Sequence, residues 1–141
     1  MMKKISNYFL MASVFVIANV PAFADDGVCD LIKGLKSLLN DKQIAVITLG
    51  SKGSIYYCGG HTVEVPTFPV KPVDTTGAGD AFYSYFLASL VNHPDFVDDD
   101  EKIRHYLTRA NVVGALTTLK KGAINSAPTE EQIDDFFKTY R

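Results

Sequence analysis

The stretch "VDTTGAGDAFYSYFLASL" (Val73–Leu90) restricts this chain more than any other. Gly77 and Gly79 leave a turn without side chains, and the residues behind it are nearly all apolar to Val91, with Asp80 the one charge. A helix of that composition is buried on most sides. The helix predicted over Ala78–Val91 therefore belongs inside a layered fold, with its first turn at a glycine-rich corner. There the free N–H groups of Ala78, Gly79 and Asp80 can converge at the positive end of the helix dipole, a place that favours an anion such as phosphate.

Asp80 stands at the same lip. A carboxylate there repels a phosphate, but it can accept the proton of a hydroxyl that attacks a phosphoryl group held beside it. Capping the helix is the alternative use of an Asp at this position. The flanking glycines and the preceding Asp74-Thr75-Thr76 favour the chemical use. Two other glycine-rich patterns fail. A Walker loop needs G-x-x-x-x-G-K-[ST], and neither "GSKGS" nor "TGAGDAF" supplies it; a dinucleotide fingerprint needs a third glycine where Phe82 stands.

The rest of the chain reads as α/β. Val28, Leu31, Ile32, Leu35, Leu38 and Leu39 recur at helical spacing, which predicts a helix over Val28–Asn40. "IAVITL" (Ile44–Leu49) is a continuous, β-branched apolar run, the pattern expected of a buried parallel strand. "SIYYC" and "TVEVPTF" about a Gly-Gly turn predict a hairpin. Pro66, Pro69 and Pro72 keep the approach to the glycine corner extended. A helix is predicted over Asp98–Lys120, and Thr129 with Gln132 forms a capping box for a last helix. With 141 residues, 47% hydrophobic, the chain is long enough for one cored domain and too short for two.

Composition narrows the partners. A net charge of −2 with scattered basic residues gives no footprint for nucleic acid, so a small-molecule partner is expected. Cys29 and Cys58 have no metal-ligand spacing, and three scattered histidines do not complete a site. The two thiols could pair if the chain is exported; core thiols are the simpler reading. Residues 1–24 resemble a signal peptide: Lys3 and Lys4, an uncharged stretch from Ile5, then Ala22-Phe23-Ala24 before Asp25. Asn19 and Pro21 shorten the apolar run below a membrane span, so no stable membrane anchor is expected.

"VDTTGAGDAF" resembles the C-terminal signature of the ribokinase-like carbohydrate kinases, the phosphofructokinase-B family. "ITLGSKGSIYY" resembles that family's nucleotide-binding strand and turn, and "RANVVGALTTLKKGAINSAPT" its adenine-side helix and loop. The likeness runs over residues 28–141 and is nearest to fructokinases. It implies the C-terminal part of a three-layer α/β/α fold with a truncated central sheet. It also implies an ATP-dependent kinase acting on a sugar hydroxyl, with Mg²⁺ and K⁺ as cofactors. Under that likeness Asp80 is the catalytic base, and Gly77, Ala78 and Gly79 form the anion hole. Thr48, Leu49, Gly50, Ser51, Lys52 and Gly53 contact the nucleotide, with Asn111 near the adenine. Asp74, Thr76, Thr117, Lys120, Gly122 and Ser126 surround a monovalent cation, several through carbonyl groups.

The family's domain is longer than this chain, and nothing before Val28 resembles its N-terminal part, which carries the sugar-binding motifs, lid strands and Mg²⁺-linked acidic motif. An open sheet edge beside "IAVITL" is therefore expected. The alternative function is a non-catalytic remnant, or half of a split kinase whose partner chain supplies the rest; association of copies is a further possibility. For location the signals diverge: a kinase is expected in the cytoplasm, whereas the leader predicts export.

Overall fold

The computed structural model describes residues 14–17, 25–123 and 125–140. The expected leader lies outside these residues apart from Val14–Ile17, which form strand β1. There follow α1 (Asp25–Leu38), β2 (Ile44–Thr48), β3 (Ser54–Cys58), β4 (His61–Val65), α2 (Ala78–Asn92), α3 (Asp100–Thr117) and α4 (Glu130–Thr139).

The four strands form one sheet in sequence order. β2 lies parallel to β1, with Val14 opposite Ile44 and Ile17 opposite Ile47, and antiparallel to β3. The β3–β4 hairpin turns at Gly59-Gly60, both with positive φ (56° and 84°). That mixture corrects one expectation. The edge beside "IAVITL" is not open, because β1 occupies it.

β2 is an unbroken apolar run because both of its faces are covered. Ile44 and Val46 face one cluster with Tyr56, Phe82, Phe86 and Leu107, whereas Ala45 and Ile47 face another with Leu35, Ile55 and Tyr57. Successive side chains of a strand point to opposite faces, so β2 is the partition between a layer holding α1 and a layer holding α2 and α3. The result is the three-layer α/β/α arrangement.

α2 and α3 form the main helix pair. Phe86, fully buried, meets Phe82 in a stacked pair at 6.4 Å and Phe96 edge-on at 5.6 Å. Two buried hydroxyls tie this layer to the sheet: Tyr83 donates to the Val46 carbonyl (3.3 Å), and Tyr56 donates to the Val97 carbonyl (3.0 Å). The predicted start of α3 at Asp98 shifts to Asp100, because Asp99 caps the helix by accepting from the N–H groups of Glu101 and Lys102. Pro94–Asp98 instead makes a 3₁₀ turn that buries Phe96 and Val97. α4 opens on the capping box read from the sequence, Thr129 with Gln132.

α4 is held down in two ways. Phe136, Phe137 and Tyr140 surround Phe68, with ring centroids 5.1–5.8 Å away. Arg109 of α3 donates to Asp134 (2.8 Å), Glu130 (2.6 Å) and the Tyr85 hydroxyl (2.7 Å). Cys58 is buried, its thiol directed at the Asp41 carbonyl (3.7 Å), whereas Cys29 is exposed on α1. The expectation of two core thiols therefore holds for Cys58 alone. Among the described residues, no helix is long and apolar enough to cross a membrane.

Candidate active site

The glycine corner forms as the sequence requires. Gly77 sits just before α2 with φ 79°, ψ −1°, a left-handed conformation in which a side chain is strained. A Cβ at Gly77 would also lie 2.5 Å from the Cβ of Ala123, so the corner is pressed against the loop that follows α3. The N–H of Ala78 turns back to the Thr75 carbonyl (3.3 Å), a departure from the expected set of three free donors. Gly79 and Asp80 belong to the first helical turn, whose N–H groups have no carbonyl four residues back within the helix.

From behind, α3 braces this turn. Gly114 is buried, and a Cβ there would stand 3.2 Å from the Ala78 carbonyl oxygen. Only a glycine lets the α3 backbone come so near without a displacement. The same approach keeps α3 within contact of Phe82 on α2.

In front of the turn lies a cavity of about 710 Å³. Gly77, Ala78, Gly79 and the exposed Asp80 form one wall; Thr48, Gly50, Ser51 and Gly53, at the end of β2 and in the turn after it, form a second. A third wall is the extended segment with Thr67, Phe68, Pro69, Val70 and Pro72, and Asn111, Gly114 and Ala115 of α3 close the floor. The catalytic, anion-hole and most nucleotide-side residues expected from the sequence thus share one space. Leu49 does not join them, being buried in the α1-side cluster, and Lys52 is exposed outside the lining. Asn111 is 5% exposed, and its amide donates to the carbonyls of Val65 and Pro66, both at 3.3 Å. It thereby fixes the start of the third wall. The proline-spaced segment and Gly114 went unassigned in the sequence reading. Their signals were the recurring prolines and a glycine inside an otherwise apolar helix face.

The residues expected around a monovalent cation lie behind the corner rather than in the cavity lining. The Thr76 hydroxyl foremost, then the N–H groups of Thr76 (2.9 Å) and Gly122 (3.1 Å), donate to the Asp74 carboxyl and hold it below the usual carboxylate range. The Thr118 carbonyl accepts from the N–H groups of Val73 (2.7 Å) and Asp74 (3.0 Å). The Ser126 hydroxyl donates to the carbonyls of Gly122 and Ala123. Asp74, Thr76, Gly122 and Ser126 are therefore brought together. Thr117 turns its hydroxyl to the Val113 carbonyl (2.8 Å) within α3, and Lys120 is exposed.

Comparison with known proteins identifies the family and the fold. The sequence matches the pfkB family carbohydrate kinases over residues 18–130, beginning ten residues before the stretch in which the sequence alone showed a likeness. Fructokinase-1 of Zea mays is 39% identical over 117 residues, which cover 83% of this chain and 34% of that protein. Probable fructokinase-5 of Arabidopsis thaliana is 37% identical over 135 residues, covering 90% and 42%. The crystal structure of a Vibrio cholerae O395 fructokinase with fructose, ADP and calcium ion bound superposes with a TM-score of 0.69 at 31% identity, covering 89% of this chain and 41% of that one. A Xylella fastidiosa fructokinase with bound ATP shares the fold, with a TM-score of 0.73 at 23% identity over 92% and 43% of the two chains. The chain spans less than half the length of each of these relatives. By its matched sequence and its fold, this chain belongs to the pfkB family of carbohydrate kinases.

Proposed function

We propose that the chain contributes the nucleotide and catalytic-base side of an ATP-dependent sugar kinase, with fructose as the leading acceptor. The observation that carries this reading is Asp80, exposed in the first turn of α2 on the wall of the cavity, beside Gly77, Ala78 and Gly79. In that position its carboxylate can take the proton of the attacking hydroxyl, while the N–H groups of Gly79 and Asp80 meet the charge on the transferred phosphoryl group. Thr48, Gly50, Ser51 and Gly53 are the residues we assign to the nucleotide, and Asn111 shapes the floor on its far side. The fructokinase relatives support fructose as the acceptor.

A nucleotide suits the residues present. The corner offers donors at a helix start, and Gly79 leaves open space in which a phosphate can approach the backbone. We assign Mg²⁺ as a companion of the ATP phosphates, where it would neutralise charge during transfer. For K⁺, the Asp74 carboxylate and the carbonyls of the adjoining loop are the oxygen donors we assign.

One observation favours a second reading, in which the chain is a non-catalytic remnant or works only with another polypeptide: Leu87 (37% exposed) and Val91 (61% exposed) lie uncovered one turn apart on α2. ADP release by the full chain with Mg-ATP, K⁺ and a panel of hexoses, pentoses and nucleosides separates the two readings. Sugar-dependent release that falls at least ~100-fold in Asp80→Asn, with nucleotide binding retained, is the expected result. Equal turnover in that variant refutes the base assignment, and no release from the folded chain favours the second reading.

A further inference from the structure

The leader-like segment has a second use in the fold. β1, Val14–Ile17, lies within residues 1–24 and pairs in parallel with β2 at four successive positions. Four of the five residues of β2 are fully enclosed: Ile44, Ala45, Val46 and Ile47 are at most 1% exposed. β1 gives it a partner on one edge, as β3 does on the other. Cutting the chain after Ala24, where the small-x-small pattern invites it, would leave α1 whole, since that helix begins at Asp25. It would remove β1 altogether. The N–H and C=O groups along one side of β2 would then lose their partners and present an edge for another strand.

A second, independent observation concerns the residues that follow β1. The match to the carbohydrate kinase family begins at residue 18, inside the segment a signal peptidase would discard. The alignment with the Arabidopsis relative covers 90% of the chain, more than residues 25–141 alone could fill.

The geometry points to Val14–Ile17 as a working strand of the kinase domain, retained in the folded protein together with the residues that join it to α1. One segment cannot be both removed and paired, and the pairing wins. The inference is independent of catalysis: it concerns the sheet and stands whether or not the chain turns over a sugar.

Two measurements on the full chain test it. The first is hydrogen exchange resolved to single amides in the native protein. Amides of Val14–Ile17 that enter the β1–β2 ladder should exchange at least about tenfold slower than their unstructured rates. Val16→Pro should abolish that protection and speed exchange on the β1-facing side of Ile44–Thr48, while Val16→Thr, still β-branched, leaves both unchanged. Unprotected amides throughout Val14–Ile17 in the native chain, with β2 fully protected, overturn the proposal even if Val16→Pro does not fold. The second is intact mass from cells that export and cleave a control leader joined to residues 25–141. The expected product of the natural chain keeps residues 1–24; a folded product beginning at Asp25 overturns the proposal.

Discussion

Replacing Gly77 and Gly79 by alanine, one at a time, separates what the glycine corner needs in order to fold from what it needs in order to bind. At Gly77 the backbone is left-handed, with φ 79°. An alanine in that conformation costs about 1–2 kcal/mol. Its Cβ would also meet Ala123 at 2.5 Å (Cβ) and 3.1 Å (Cα), so the loop after α3 must shift. Overpacking of that kind adds about 1–3 kcal/mol. A total of about 3 kcal/mol lowers the melting temperature of a domain this size by roughly 10 °C. At Gly79 no heavy atom lies within 4 Å of an added Cβ. An alanine there is a better helix former by up to ~1 kcal/mol, so the melt should hold or rise. Yet Gly79 lines the cavity, and its new methyl would occupy space that a phosphate needs. Thermal melts by circular dichroism, paired with ATP titrations by calorimetry, should show Gly77→Ala unstable and Gly79→Ala stable but at least ~10-fold weaker in binding. A Gly77→Ala melt equal to that of the natural chain would refute the steric argument, and unaltered ATP affinity in Gly79→Ala would refute the anion-hole assignment.

Other perturbations read other parts of the molecule. Arg109→Met removes two donors that hold α4 to α3 and a third that ties α3 to Tyr85 of α2, on a side chain only 15% exposed; with Glu130 and Asp134 largely in solvent, the loss should be on the order of 2 kcal/mol by urea denaturation. Asn111→Leu leaves the Val65 and Pro66 carbonyls without their donor and should cost about 1–3 kcal/mol, with ATP binding weakened because the third wall loses its anchor. Because the folded protein holds the Asp74 carboxyl below its ordinary value, the stability it contributes is present above about pH 4 and is lost as pH falls through the lowered value. Melts of the natural chain and of Asp74→Ala should therefore differ at pH 6 and converge in strong acid; a constant gap across that range would show that ionisation of Asp74 is not the cause.

The sequence exposed the parts of this protein that are written in local chemistry. The hairpin at Gly59-Gly60, the capping box at Thr129 and the glycine corner each depend on residues adjacent in the chain, and each formed where expected. β1 escaped because four apolar residues in an uncharged stretch carry no period of their own; their strand character comes from β2, which lies 30 residues further on. The start of α3 moved for a similar reason. Asp98, Asp99 and Asp100 all suit a helix start, and burial of Phe96 and Val97 decided that Asp99 would cap it. Asn111 could be placed on a helix from the pattern, but its two carbonyl partners lie 45 and 46 residues away, beyond any local signal.

The contact of Gly114 with the Ala78 carbonyl bears on how such a site can change over generations. There the cavity is backed by main chain close against main chain, with the Phe82 side chain alongside. A side chain at Gly114 requires the first turn of α2 to give by a few tenths of an ångström, so that wall varies less readily. The facing wall, Thr67–Val70, is made of side chains on an extended segment and can be altered one residue at a time. One side of the cavity can therefore change shape while the glycine corner on the other stays as it is.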